Sequence, residues 1–313
     1  MYLLDKVTKV DERKWKNRCY IVEGGKIRYA TSSFQQWNRK RVNMNGTLIC
    51  NGRIYFEDQL LKDPSNQHFS DRQKQLIKEG CTTIAVAPYV KYESELPNIP
   101  LKWSKFMERS TIDYVVGLTV PVNLVRPSFI RKCQNLLIPF LKVEIKKVAD
   151  IHSIQWTHIS HSLLHYPLML IPIFHSSVKR KKTLYMTWKK YCLEYGIHTE
   201  LNELSNSTLS KTFLQKIGLF PQKGTLIAGS DLDYIAYING KVKSRYERLK
   251  VLRGDDELYE RAEPDLVVLR GKVLKVFQDI DLDQGYGQRI KIIRPGRFLS
   301  MNDVITLENG IYR

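Results

Sequence analysis

Three histidines, His158, His161 and His165, stand at i, i+3 and i+7 in the run SIQWTHISHSLLH. On a helix that spacing puts three imidazoles on one face, which could hold a divalent metal if a second element supplied further donors. No such element is evident, so the reading adopted is a polar face beside a packing face of Trp156 and Leu163. Asp281, Asp283 and Gly285 resemble a calcium loop only loosely, because the glutamate that should close such a loop is missing. The five cysteines, Cys19, Cys50, Cys81, Cys133 and Cys192, are far apart, odd in number and form no CxxC. They read as reduced packing residues rather than a disulfide framework or a thiolate zinc site. No phosphate-binding glycine loop, GxGxxG or GxSxG motif occurs, so nucleotide use and serine hydrolysis have no sequence support.

The elements that must position these residues follow from periodicity. The first forty-odd residues alternate strand-like runs with turns: YLLDKVTKV, RCYIVEGGKIRYA with Gly24 and Gly25 at a hairpin, and GTLIC. From Gly52 the pattern becomes apolar strand, amphipathic helix, apolar strand: RIYFED, DRQKQLIKEG, TTIAVAP, LKWSKFMER, IDYVVGLTVPV, PSFIRKCQNLLIP, FLKVEI, the helix SIQWTHISHSLL, and LMLIPIF. Such alternation predicts βα units around a mainly parallel sheet. In VKRKKTLYMTWKKYCLEYG, Leu184, Trp188, Cys192 and Tyr195 share one face, which predicts a helix packed on that sheet. From about Gly224 short strands and turns return (TLIAGSDLDYIAYI, DLVVLRGKVLKVF, RIKIIRPGRFL), which suggests that the two ends of the chain meet in one side domain.

At 313 residues and 43% hydrophobic, the chain can bury a large core, and no apolar stretch reaches the roughly 20 residues that span a bilayer. The segment MYLLDKVTKVDERKWKN has no export signature, so a cytoplasmic location is expected. The net charge of +18 predicts attraction to an anionic partner such as nucleic acid or an acidic membrane face. Its basic residues are dispersed, with short clusters only at 39–41 and 179–182, and no recognition module is evident. A solvated basic surface is the reading adopted.

Four stretches resemble the cyclic amidohydrolases, the hydantoinase and dihydroorotase class. YIVEGGKI followed by GTLICNGRIYFED is similar to the family's passage from its β-sandwich into the first barrel strand. LIKEGCTTIAVAP is similar to its Gly-x-Thr-Thr second strand, and LVVLRGKVLKV with the later GRFL to its closing sandwich strands. LSKTFLQKIGLFPQKGTLIAGSDLDYIAYI resembles the helix, turn and strand that return the chain to the sandwich, with Asp231 and Asp233 matching structural carboxylates of that turn.

The resemblance implies a metal at the carboxyl ends of the barrel strands, activating water for attack on an amide carbon. The family's ligands are a His-x-His pair, a carbamylated Lys or a Glu, two further His and an Asp. Here Glu57, Asp58 and Gln59 stand where the His-x-His belongs, and an amide such as Gln59 is a weak neutral ligand. Lys142 falls near the place of the bridging lysine, and His175 near one later histidine. Only about 36 residues separate His175 from Lys211, too few for the three further βα units of an eight-stranded barrel.

The expected architecture is therefore α/β: an incomplete TIM-like βα barrel of about five strands over 52–219, and a composite β-sandwich from 1–51 and 220–313. The open barrel edge should be covered by the 178–196 helix or by a second subunit, a homodimer being one way to do this. The expected function is that of a pseudoenzyme: no cofactor, no bound metal, no catalytic residue, and Glu57, Asp58, Gln59, Lys142 and His175 as vestigial positions. A binding or scaffolding role takes the place of catalysis, with an anionic partner as one candidate. The alternatives are a metal-dependent hydrolase of cyclic amide C–N bonds with an altered site, and a nucleic-acid or anionic-surface binder.

Overall fold

The computed structural model describes residues 1–11, 14–61, 66–164, 166–175, 178–201, 208–238 and 263–292. The chain opens with β1 (Tyr2–Asp11), β2 (Lys14–Glu23), β3 (Lys26–Thr31), β4 (Arg41–Asn43) and β5 (Leu48–Asn51). Gly24 and Gly25 turn β2 into β3 at φ of +57° and +74°, values that a side chain would resist. Next come β6 (Arg53–Phe56), α1 (Asn66–Lys78), β7 (Cys81–Val86), α2 (Ile99–Met107), β8 (Asp113–Val116) and β9 (Leu118–Pro121). They are followed by α3 (Pro127–Asn135), β10 (Phe140–Ile145), α4 (Val148–His152), α5 (Trp156–Ser162), β11 (Met169–Phe174) and α6 (Val178–Glu194). Finally, α7 (Lys211–Ile217), β12 (Tyr234–Tyr237), β13 (Leu266–Leu269), β14 (Lys272–Val276) and β15 (Asp279–Ile280) complete the described elements.

Strands from both ends of the chain join one nine-stranded sheet, ordered β15-β14-β13-β12-β5-β1-β2-β3 with β4 beside β1. The seam is β5 against β12, antiparallel, with Cys50 opposite Ile235. Alternation divides β12 between two cores. Ile235 and Tyr237 face α1 and β7, whereas Tyr234 and Ala236 pack with Val7, Val22 and Leu232 on the other side. Strands from the two ends of the chain thus meet in one hydrogen-bonded sheet, joined where β5 and β12 pair edge to edge.

The middle of the chain supplies two parallel three-stranded sheets, β6-β7-β8 and β9-β10-β11. β6, β7 and β8 are buried at every residue, as parallel strands covered on both faces must be. The sequence reads IDYVVGLTVPV as one strand; the structure splits it at Gly117. There a Cβ would lie 2.2 Å from the Phe140 ring, so only glycine lets β10 pass so close. Past this break β8 keeps β7 as its neighbour while β9 pairs with β10. Gln288 and Ile290 take the vacated side of β8 through hydrogen bonds with Tyr114.

The strand edges are closed by extended chain. Thr199 bridges Leu170 of β11 in parallel, and Thr208 bridges Tyr55 of β6 antiparallel. The expectation that the 178–196 helix would cover an edge is corrected here. A helix has no free backbone groups to offer a strand, whereas extended residues such as His198, whose carbonyl accepts from Leu170 N–H at 3.0 Å, do. Helix α6 instead lies over the outer face, burying Leu184, Trp188 and Cys192 on the face expected from their spacing. All five cysteines are free; burial pushes the Cys50 thiol up to about 11 and that of Cys192 up to about 12, which keeps them protonated and inert. Among the described residues, no helix is long and apolar enough to cross a membrane.

Candidate functional site

Parallel strands place the side chains that follow them along one rim, where α/β folds usually hold their chemistry. Glu57 follows β6 and is buried, with 1% of its surface exposed. Its Oε1 accepts from the N–H groups of Gln59 and Leu60 at 2.6 and 3.2 Å, capping the short 3-10 turn Gln59–Leu61. Its Oε2 receives Nε and Nη2 of Arg72, on α1, at 2.8 and 2.6 Å. Both oxygens of this carboxylate are therefore committed. Asp58 Oδ2 accepts from Lys142 Nζ at 2.7 Å, and that ammonium also sits 4.2 Å from the centre of the Phe56 ring. Gln59 is exposed. His175, after β11, lies half in solvent with Nε2 at 3.4 Å from Glu144 Oε1, while Tyr89 O–H donates to the other Glu144 oxygen at 3.2 Å.

The structure thus gathers Glu57, Asp58, Gln59, Lys142 and His175 at one rim, but as separate pairs rather than as a converging set. Sequence reasoning missed Arg72, Glu144 and Tyr89. The signal for Glu144 was present, since residues 142 and 144 of a strand face the same way; nothing in the spacing pointed to Arg72.

A divalent metal does not fit this donor set. Glu57 already neutralises a guanidinium, and Asp58 is held by an ammonium. A carbamate formed on Lys142 would place a second anion against the Asp58 carboxylate. Among the described residues, the one trio of carboxylates within 4.8 Å of one another is elsewhere: Asp113, Asp231 and Asp233.

That trio sits at the opposite end of the strands, since Asp113 begins β8. Lys223 Nζ lies 2.6 Å from Asp113, 2.9 Å from Asp231 and 2.7 Å from Asp233, and its side chain is fully buried. Arg270 adds a guanidinium 2.9 Å from Asp113. The space a cation would take is filled by the lysine. Burial alone would favour neutral Lys223, but the surrounding carboxylates outweigh it and hold its pKa above the usual lysine value. Asp233 also accepts from Arg270 N–H at 2.8 Å, and Asp113 from Gln288 N–H at 2.8 Å, so the cluster ties β8, the β12 approach and residues 270–288 together. Sequence reasoning recognised Asp231 and Asp233 as bracing this turn but not the lysine that they surround.

His158 and His161 are exposed on α5, and His165 lies outside the described residues. Asp281 and Asp283 pair with Lys272, which leaves no calcium loop there.

No family model and no curated protein matches the chain. Among solved structures it is similar to a D-hydantoinase from Bacillus sp. AR9, at TM-score 0.62 and 10% identity over 95% of this chain and 100% of that one. A dihydropyrimidinase from Brevibacillus agri NCHU1002 aligns at TM-score 0.60 and 12% identity over 94% and 99%. An L-hydantoinase from Arthrobacter aurescens aligns at 0.52 and 11% over 93% and 99%. At such identities the likeness concerns architecture alone. The chain has a mixed α/β, amidohydrolase-like fold of the kind found in hydantoinases and dihydropyrimidinases.

Proposed function

We propose that this chain is a hydantoinase-fold pseudoenzyme that binds or scaffolds instead of hydrolysing. In this reading residues 52–219 are a reduced βα barrel, and 1–51 with 220–313 form the composite β domain. The observation that carries it is the state of the Glu57 carboxylate, with both oxygens engaged by Arg72 and by backbone N–H groups at the position where the fold would present a metal ligand. Water becomes a strong nucleophile at neutral pH when several donors converge on a cation. Here the rim groups cancel one another in pairs. The net charge of +18 supports an anionic partner.

The test is elemental analysis of the purified full chain after dialysis against zinc and manganese, with hydantoin and a dihydropyrimidine as substrates. We expect substoichiometric metal and no ring opening. One metal per chain together with turnover would establish the alternative of an altered amidohydrolase.

A further inference from the structure

On the outer face of the parallel strands, α5 and α6 build a flat aromatic surface that the rim chemistry does not use. Tyr191 and Tyr195, one turn apart on and just after α6, lie 6.3 Å apart with their ring planes within 11° of parallel. Both cover the buried indole of Trp156, Tyr191 at 5.2 Å and 11°, Tyr195 at 6.4 Å and 20°. The three rings lie nearly parallel, with the indole buried and the two tyrosines, only partly buried, as the floor. That floor lies in an open cleft of about 360 Å³ walled by His152, Gln155 and His158. His152 Nδ1 and the Tyr191 hydroxyl are 2.9 Å apart, which fixes the ring's orientation. The cleft-lining residues include no carboxylate.

The segments that carry this floor are one-sided in charge along their sequence. Residues 146–158 and 178–195 together carry eight Lys or Arg (Lys146, Lys147, Lys179, Arg180, Lys181, Lys182, Lys189 and Lys190) against two carboxylates, Asp150 and Glu194. In α6 the sequence also runs against the helix's own dipole. Its first turn has no acidic residue and begins Val178, Lys179, Arg180, Lys181, and its last residue is Glu194. Helices prefer anions at the start and cations at the end, so this arrangement costs the isolated helix stability. It is compensated when an external anion lies against the helix.

We propose that this face binds single-stranded nucleic acid, with bases stacking on Tyr191 and Tyr195 and the backbone following the cations of α6 and of residues 146–147. Aromatic rings accept any base by its face, while Lys and Arg track phosphates, which together recognise a single strand without reading sequence. The inference rests on the binding role proposed above only in expecting a polyanionic partner.

The test uses the full chain and fluorescein-labelled oligo(U) and oligo(A), followed by fluorescence anisotropy across a salt series. We expect both to bind, with affinity falling linearly on a log-log plot against salt. Y191L/Y195L, which keeps apolar cover over Trp156, should weaken binding roughly tenfold or more with the salt slope unchanged. K189Q/K190Q, both exposed positions, should lower the slope by up to about 1.4. An unaltered circular dichroism melt for each variant separates loss of binding from loss of fold. Binding by Y191L/Y195L equal to that of the parent overturns the proposal, as does no binding at all. Equal competition by a duplex or by polyglutamate would assign the face to a generic polyanion or acidic protein and overturns it too. Ring opening of a cyclic amide would defeat the pseudoenzyme reading and leave this surface untouched.

Discussion

The two charged groups at opposite ends of the parallel strands use similar residues for different ends. At the amino end of β8, three aspartates, a lysine and an arginine are packed dry, with one oxygen of each carboxylate within 2.9 Å of Lys223 Nζ and Arg270 on the second oxygen of Asp113. At the carboxyl ends, Glu57, Asp58, Lys142, Glu144 and His175 are strung out as pairs of decreasing burial. Proximity of carboxylates is therefore a poor guide to a metal site in this molecule. The group that most resembles one already holds its cation as Lys223, and the rim residues that the sequence suggested as ligand positions are engaged in separate ion pairs.

The contrast predicts a gradient of mutational cost. Lys223→Met should be the most damaging, about 3 to 5 kcal/mol, because it leaves buried carboxylates without their counter-ion; urea unfolding of the full chain would measure it. Arg72→Ala should cost about 2 kcal/mol, since Glu57 loses charged hydrogen bonds but keeps two backbone donors, and the same titration reads it. If Arg72→Ala proved the costlier, the dry cluster would not be the main brace.

A pH series sharpens the same contrast. The folded pKa of Lys223 lies above the unfolded value of 10.5, so the unfolded chain releases its proton first as the solution becomes alkaline. The stabilisation is complete below pH 10.5 and is lost as pH rises beyond it, so the gap between wild type and Lys223→Met should narrow there. A gap constant across that range would mean that Lys223 braces by packing alone. At the low end, Lys142→Met should shift stability by no more than about 1 kcal/mol. For His175→Ala the shift should stay within about 0.5 kcal/mol, and thermal melts suffice for both.

Much of this arrangement was legible in the chain. Apolar runs such as TTIAVA and FLKVEI announced parallel strands, the Leu184, Trp188, Cys192 spacing announced the buried face of α6, and the four family-like stretches pointed to the fold. The split of β8 from β9 was not legible, because it depends on Phe140 lying against Gly117, a contact that no local pattern encodes. Arg72 and Lys223 escaped notice for the same reason: each is an ordinary charged residue until tertiary packing brings a carboxylate to it. The closure of strand edges by Thr199 and Thr208 was likewise invisible, since single bridging residues leave no periodic trace.

The seam between β5 and β12 sets the order in which this protein can assemble. Arg53, just after β5, donates to the hydroxyl of Tyr237, the last residue of β12, across 184 positions of sequence. On a translating ribosome, β5 can meet β1 early, but its other flank has no neighbour until β12 has emerged. Closing so long a loop is slow, and an unpaired strand flank meanwhile offers itself to other chains. Folding in the cell should consequently depend on protection of that flank while the intervening βα units are being made.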